Sequence, residues 1–124
     1  MSINYCIEEI VPRNGHYSKT ILSKQRKGIS CIAFVKGNRI GFVDFVLTKN
    51  LIYESHAYLE AAWRGQGIGT DLYTLGIKFL LLKGVTKIGS SKNTSEQAKR
   101  VWKKLYTKFP IKRIKGRFRV ITNG

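Results

Sequence analysis

The residues of this chain best suited to chemistry are the glycines of the stretch AAWRGQGIGTDLY, residues 61–73, where Gly65, Gly67 and Gly69 precede apolar, helix-forming sequence. Glycine costs about 0.5–1 kcal/mol relative to alanine within a regular element, so three glycines together indicate that something approaches the backbone closely. A turn that opens a helix directs several backbone N–H groups the same way, and the positive end of the helix dipole adds to their potential. The stretch therefore predicts a binding site for an anion.

Two common nucleotide-binding motifs do not account for these glycines. A P-loop requires Gly-Lys-Ser/Thr after its second glycine, whereas Gly69 is followed by Thr70 and Asp71. A dinucleotide-binding fold requires G-x-G-x-x-G in a parallel βαβ unit with an acidic residue about 20 positions further on, and the following strand VTKIG, residues 85–89, lacks that acid. Both interpretations are therefore excluded.

The elements that must position the glycine loop begin with a series of predicted strands. Alternating, β-branched and aromatic residues predict four strands before the loop, at 3–11, 29–37, 39–48 and 51–61. Gly37-Asn38 predicts a tight hairpin turn, because both residues tolerate positive φ, and Lys49-Asn50 predicts a second turn. The polar, basic segment 13–28 predicts a long loop with a short helical turn around 17–25.

The glycine loop is followed by predicted helices and short strands. Thr70 to Lys83 predicts a helix that ends at Gly84 and is well buried, with one apolar face formed by Leu72, Leu75, Gly76, Phe79 and Leu82. Residues 85–89 predict a buried strand that pairs in parallel. Ser95 is predicted to begin an amphipathic helix over 95–108, whose inward residues are Ala98, Val101, Trp102 and Leu105. Residues 111–122 predict one or two closing strands. The fold class is α/β (α+β), a mixed, mostly antiparallel central sheet with flanking helices, in a single domain over 1–124.

The order of these elements agrees with a known family. Arg64-Gly65-Gln66-Gly67-Ile68-Gly69 resembles the R-x-x-G-x-G pyrophosphate-binding motif of the GCN5-related N-acetyltransferases, the GNAT superfamily. The resemblance covers most of the chain, since strand order, helix positions and length are similar. NTSEQAKRVWKKL, residues 93–105, resembles the second signature of the family more loosely, and the compact chain with a tryptophan at its aromatic position is similar to minimal acetyltransferases of phages and small bacterial genomes.

The resemblance implies an N-acetyltransferase that transfers the acetyl group of acetyl-CoA (acetyl-coenzyme A), by direct attack, to a primary amine of a protein, an aminoacyl-tRNA or a small molecule. It implies that the pyrophosphate is held by the motif around Arg64, through the backbone amides of Gly65, Gln66, Gly67, Ile68 and Gly69 and the hydroxyl of Thr70. The backbone of Tyr58 and Leu59 would bind the pantetheine arm, and Asn93 and Trp102 would line the other side of the thioester. A backbone N–H near Leu59 would stabilise the carbonyl oxygen.

Acetyl transfer to an amine also requires a base, because a lysine-like amine with a pKa of ~10.4 is mostly protonated at neutral pH. The fourth strand presents such groups on one face by alternation: Glu54, His56, Tyr58 and Glu60. We expect Glu54 first and His56 second, although a bulge in this strand would shift the alternation. Many family members use a tyrosine as general acid where Trp102 stands here, so Tyr106 or solvent would supply that proton.

Charge and cysteine content define the expected surroundings of the protein. The chain carries a net charge of +16, of which residues 85–124 contribute +11 from 12 basic side chains and one acid, Glu96. A basic rim around the acceptor cleft, between 13–28 and the carboxy-terminal strands, favours an acidic protein or aminoacyl-tRNA as the amine acceptor.

Cys6 and Cys31 lack metal or redox spacing and indicate free thiols in the cytoplasm. No metal site and no membrane segment is predicted, and the protein is expected to be a monomer or homodimer.

Two alternative functions remain open at the level of sequence. Because the usual tyrosine is missing, the chain could be a catalytically weak GNAT-fold protein that acts as a binding or inhibitory module. The segment IKRIKGRFRVI, residues 111–121, is also compatible with a basic nucleic-acid-binding protein in which Phe118 stacks on a base and Arg117 and Arg119 contact phosphates. Alternating basic residues are equally common in edge strands, where they prevent aggregation.

Overall fold

The central feature of the fold is a seven-stranded sheet with two α-helices among the described residues, which are 2–10 and 27–122 of a computed structural model. The strands are β1 (Asn4–Ile10), β2 (Gly28–Val35), β3 (Asn38–Leu47), β4 (Tyr53–Leu59), β5 (Ile88–Ser90), β6 (Ile111–Ile114) and β7 (Arg117–Val120). The helices are α1 (Ile68–Leu82) and α2 (Glu96–Leu105), and a 3₁₀ turn covers Ala61–Trp63. The strand order is β1-β2-β3-β4-β5-β7-β6, with only β4 and β5 parallel, which confirms the predicted fold class. The loop predicted at 13–28 falls almost entirely outside the described residues.

The hairpin between β2 and β3 differs from the prediction by one residue. The turn consists of Lys36 and Gly37, with φ of 51° and 78°, and Asn38 is already paired with Val35 as the first residue of β3. A two-residue turn of this kind needs positive φ at both central positions. The prediction of Gly37-Asn38 was therefore wrong, because the cross-strand register and not the intrinsic preference of asparagine decides which residues occupy the turn.

Helix α1 packs on the sheet with a face rotated from the predicted one. Its buried residues are Ile68, Leu72, Tyr73, Gly76, Ile77 and Leu80. Leu82, which was predicted to face inward, is 88% exposed, so that part of the prediction was wrong. The helix packs so closely that a Cβ on Gly76 would lie 2.5 Å from Phe45 of β3. An almost wholly apolar segment does not show which of its faces is buried, and here the contact at Gly76 decides it.

The sheet opens between its two parallel strands. β4 and β5 pair only over Tyr53–Ser55 and Ile88–Ser90, whereas β4 continues to Leu59 in regular pairing with β3. Beyond Ser55 one side of β4 therefore has no strand partner within the described part of the chain. The glycine loop and α1 follow directly from this open end of β4, so the fold places them beside the gap.

The remaining predictions about the body of the protein can be compared with the structure briefly. Residues 111–122 form two strands, β6 and β7, which pair as an antiparallel hairpin. Cys6 and Cys31 are free thiols, Cys31 fully buried and Cys6 half-buried, and burial raises the pKa of the Cys31 thiol to about 12. Across residues 2–10 and 27–122, no helix is long and apolar enough to cross a membrane.

Candidate functional site

A cavity of about 170 Å³ occupies the gap where β4 leaves β5, between the glycine loop and α2. Seven of the predicted site residues line it: Tyr58, Leu59, Arg64, Gly65, Gly67, Gly69 and Thr70. The opposite wall is formed by α2 and the residue before it, through Ser95, Gln97, Ala98, Arg100, Val101 and Lys104. The structure thus brings the glycine loop and the end of β4 together around one concave site.

The glycine loop exposes its main chain to this cavity. Gly65 and Gly67 adopt φ of 79° and 85°, and a Cβ at either position would find no heavy atom within 4 Å. The first backbone bond of α1 is donated by Asp71 to the Gly67 carbonyl at 3.0 Å, and the N–H groups of residues 65–70 have no backbone acceptor in the described part of the chain. Unpaired amides at a helix N-terminus are a ready site for an anion.

Three cationic side chains, Arg64, Arg100 and Lys104, add to the positive potential at the cavity. Arg64 also fixes the loop to the end of β4, since its Nε donates to the Leu59 carbonyl at 2.8 Å. The one acidic residue in the first turn of α1, Asp71, accepts a hydrogen bond from the Tyr5 hydroxyl of β1 at 3.1 Å. Burial and the hydrogen bond to Asp71 raise the pKa of Tyr5 to about 12, so the hydroxyl stays protonated and holds this carboxylate.

The open edge of β4 presents backbone groups in a fixed alternation. Tyr53 N donates toward β5, to the Lys87 carbonyl at 3.0 Å, and Glu60 N donates toward β3, to the Ile40 carbonyl at 2.9 Å. Because these directions alternate along a strand, the N–H groups of Ala57 and Leu59 point into the gap, and that of Tyr58 points to β3. The sequence reasoning missed Ala57, because only the pairing of β4 with β5 shows which N–H groups of β4 point into the gap. Tyr58 instead contributes its side chain to the cavity wall.

The two candidate bases, Glu54 and His56, lie on one face of β4, as the alternation predicts. The pairing of β4 with β3 contains no bulge between its two end pairs, Leu47 with Tyr53 and Gly41 with Leu59, so the alternation is not shifted. Their surroundings differ. The Glu54 carboxylate forms an ion pair with Arg117 of β7, and the side chains are 14% and 24% exposed. His56 is half-buried and lies opposite Asp44 of β3. Neither side chain lines the cavity of the glycine loop.

The remaining predicted site residues on and near α2 do not line the cavity. Trp102 is fully buried, stacked on Phe118 with ring centroids 5.8 Å apart, and its Nε1 has no hydrogen-bond partner among the described residues. Tyr106 is 45% exposed with its ring 6.2 Å from that of Phe118, and Asn93 is exposed in the loop before α2. The sequence analysis did not predict that Arg100 and Lys104 of α2 line the cavity, although two basic residues four positions apart on one helix face were a signal for it.

Gln66 and Ile68 complete the predicted motif without lining the cavity through their side chains. The Gln66 side chain donates to the Ala62 carbonyl at 3.3 Å, and Ile68 is buried in the core. Their contribution to an anion site would therefore come from their backbone amides alone, which is how the motif uses them.

Comparison with known proteins gives a consistent result. Residues 5–106 match the model of the Acetyltransferase (GNAT) family. The fold is similar to that of a GNAT-family acetyltransferase from Streptococcus pneumoniae, with a TM-score of 0.56 and 19% identity over 68% of this chain and 53% of that chain. It is also similar to PaiA N-acetyltransferase from Thermoplasma acidophilum in complex with coenzyme A, with a TM-score of 0.54 and 18% identity over 75% of this chain and 60% of that chain. The chain thus spans less than two thirds of either structure, and a search of curated proteins finds no match.

Proposed function

The chain belongs to the GNAT acetyltransferase family, and on that basis we propose that it transfers the acetyl group of acetyl-CoA to a primary amine. The observation that carries the proposal is the set of unpaired amides at the N-terminus of α1, which lies beside the gap between β4 and β5. The same family and fold argue against a nucleic-acid-binding module of another class. The resemblance to minimal phage and bacterial members remains a prediction.

The residues present fit the cofactor that this family uses, acetyl-CoA. The amides of residues 65–69 and the Thr70 hydroxyl would hold its diphosphate, with Arg64, Arg100 and Lys104 as counter-ions. The N–H groups of Ala57 and Leu59 would bind the pantetheine arm and the acetyl carbonyl along the open edge of β4. When bound, the cofactor would supply the acetyl group as a thioester.

Binding of the cofactor can be tested directly. We expect acetyl-CoA at about 100 times its dissociation constant to raise the free energy of unfolding by roughly 2.7 kcal/mol, which is measured as a shift in thermal unfolding. S-acetylpantetheine lacks the diphosphate and serves as the control, because it leaves the amides of the glycine loop unused. Equal shifts with both compounds, or calorimetry without any heat of binding at millimolar acetyl-CoA, would contradict the proposal.

We propose His56 rather than Glu54 as the base. The ion pair with Arg117 already uses the Glu54 carboxylate and joins β4 to β7, which favours a structural role. His56 is the first residue of β4 beyond its pairing with β5, and so it lies where the gap begins. An imidazole can accept a proton from an amine held nearby and return it to solvent near neutral pH.

Two substitutions on the same face of β4 separate these roles. Glu54→Gln is expected to lower the free energy of unfolding by about 1–3 kcal/mol, because it leaves the Arg117 guanidinium without its partner. His56→Gln is expected to change the stability little and to lower kcat by about 100-fold or more. Urea unfolding and steady-state acetylation of an amine measure the two effects. The reverse pattern, with stability lost at His56 and turnover lost at Glu54, would refute the assignment.

No side chain of α2 is proposed as the general acid. Trp102 is buried in the core and Tyr106 lies outside the cavity lining. We propose that solvent supplies the proton to the departing thiolate, since the cavity is open. A variant Tyr106→Phe with normal turnover is the expected result.

A protein that binds acetyl-CoA but acetylates no amine would instead support the alternative of a binding or inhibitory module.

The carrier of the acceptor amine is proposed to be acidic, either a protein or aminoacyl-tRNA. The support is the charge of the carboxy-terminal third, where Lys103, Lys104, Lys112 and Arg113 are exposed on α2 and β6. Affinity for a polyanion should fall steeply between roughly 50 and 200 mM salt. Fastest acetylation of lysine-rich peptides, without dependence on salt, would contradict this part of the proposal.

A further inference from the structure

Four polar residues form a row straight across one face of the sheet. Glu8 of β1 pairs with Ser30 of β2, Ser30 pairs with Asp44 of β3, and Asp44 pairs with His56 of β4. Residues directly opposite each other in antiparallel strands share a face, with Cβ atoms about 4.5–5.5 Å apart. The next row on the same face is mostly apolar: Cys6, Ile32, Phe42 and Tyr58. The polar row ends at His56, which lies where the gap between β4 and β5 begins.

An open groove of about 490 Å³ lies over the first three residues of this row, Glu8, Ser30 and Asp44, and ends before His56. Phe42 and Tyr58 line this groove and also the cavity of the glycine loop, so the two are adjacent. Ser30 is only 7% exposed, and apart from each other neither its Oγ nor Asp44 Oδ1 has a hydrogen-bond partner among the described residues. Within the pair the Ser30 hydroxyl can donate to the Asp44 carboxylate, which lowers the pKa of that carboxyl. The remaining lone pairs of the carboxylate stay available to the donors of a ligand.

The charges at the groove select the sign of that ligand. Two carboxylates, Glu8 and Asp44, line it in a chain that is otherwise strongly basic, and the cation among the lining residues is Arg39. The Arg39 guanidinium lies over the ring of Phe42, 5.4 Å from its centroid, and forms no ion pair with Asp44 among the described residues. Asp44 is thus a half-buried carboxylate that still lacks a direct cationic partner.

We propose that Asp44 and Ser30 bind the ammonium group of the acceptor amine, and that His56 takes up its proton. One N–H bond of the ammonium breaks, its proton passes to the neutral imidazole, which becomes imidazolium, and its electron pair stays on the nitrogen as the lone pair that acetylation requires. The rings of Phe42 and Tyr58 would cover the alkyl chain beside the ammonium. The acceptor is then a primary alkyl amine with no carboxylate close to it. This inference rests on the proposed function, because it concerns the second substrate of the same reaction.

Binding of amines to the cofactor-free protein tests the site apart from catalysis. We expect n-butylamine to bind saturably in an NMR titration and to move the resonances of Ser30, Asp44 and His56. The uncharged 1-butanol and the zwitterionic 4-aminobutanoate should bind at least about tenfold more weakly. Asp44→Asn should weaken butylamine binding by at least about tenfold. Glu9→Gln removes the same charge from the adjacent position of β1, on the other face of the sheet, and should change nothing.

Asp44→Asn has a second consequence that a structural role for Asp44 would not produce. Burial raises the pKa of Asp44 above its ordinary value of 3.8, while Ser30, Arg39 and His56 lower it, and burial has the larger effect. An acid whose folded-state pKa is raised loses stability as the pH rises through that value. Asp44→Asn should therefore raise the free energy of unfolding at pH 7, and the difference should shrink as the pH falls below the folded-state value.

The outcomes separate this inference from the proposed function. Unchanged butylamine affinity in Asp44→Asn would refute the ammonium site. If acetyl-CoA still raises the unfolding temperature in that case, the proposed function stands and only the acceptor site is wrong. Loss of acetyl-CoA binding in the unsubstituted protein would refute the proposed function instead.

Discussion

Replacing Gly67 by valine is expected to weaken acetyl-CoA binding by at least about 100-fold, or roughly 2.7 kcal/mol, while the chain still folds. Gly67 has φ of 85°, and a Cβ there would project into open space at the cavity. The branched side chain would occupy the volume next to the amides of Ile68 and Gly69, where the diphosphate is proposed to lie. Calorimetric titration of the folded variant with acetyl-CoA measures the loss.

The control for this experiment is Gly37→Val in the turn between β2 and β3. Gly37 has a similar φ of 78°, and a Cβ there would also find no heavy atom within 4 Å, but this residue does not line the cavity. Both variants carry the strain of a valine at positive φ, which is about 1–3 kcal/mol. Only Gly67→Val should lose affinity for acetyl-CoA. Normal binding by Gly67→Val, or an equal loss in both variants, would show that the glycine loop does not hold the diphosphate.

Replacing Trp102 by alanine is expected to lower the free energy of unfolding by about 3–5 kcal/mol, a large part of the roughly 5–15 kcal/mol typical of a domain. The indole is fully buried between two rings, stacked on Phe118 at 5.8 Å and edge-on to Tyr73 at 5.6 Å. Its removal leaves a cavity in the core between α2 and the sheet. Urea unfolding monitored by circular dichroism measures the change.

Tyr106→Ala on the same helix provides the comparison. Tyr106 is 45% exposed, so we expect its removal to cost about 1 kcal/mol or less. At a temperature where both variants are folded, each should bind acetyl-CoA with nearly normal affinity, because neither ring lines the cavity. If Trp102→Ala instead has normal stability and strongly reduced affinity for acetyl-CoA, Trp102 belongs to the cofactor site, as the family resemblance implied.

The elements of the fold were accessible from the sequence because their signals are local. Alternation along short segments predicted the strands, and the glycines before an apolar, helix-forming segment predicted that a helix follows them. The boundaries moved by a few residues because pairing, as at Lys36 and Gly37, sets where a strand ends. The buried face of α1 was mispredicted at Leu82, since an apolar segment looks the same from every side.

The candidate site likewise has features that the sequence predicted and features that only the tertiary structure shows. The sequence by itself predicted an anion-binding loop from Arg64 to Thr70 and placed Glu54 and His56 on one face, because both inferences follow from neighbours along one segment. Only the tertiary structure decided that Glu54 meets Arg117, 63 positions away, and that Ser30 and Asp44 lie in one row with His56. Such contacts depend on strand register and on the packing of the whole sheet. No local pattern encodes them, since residues far apart in the chain become neighbours only when the strands pair.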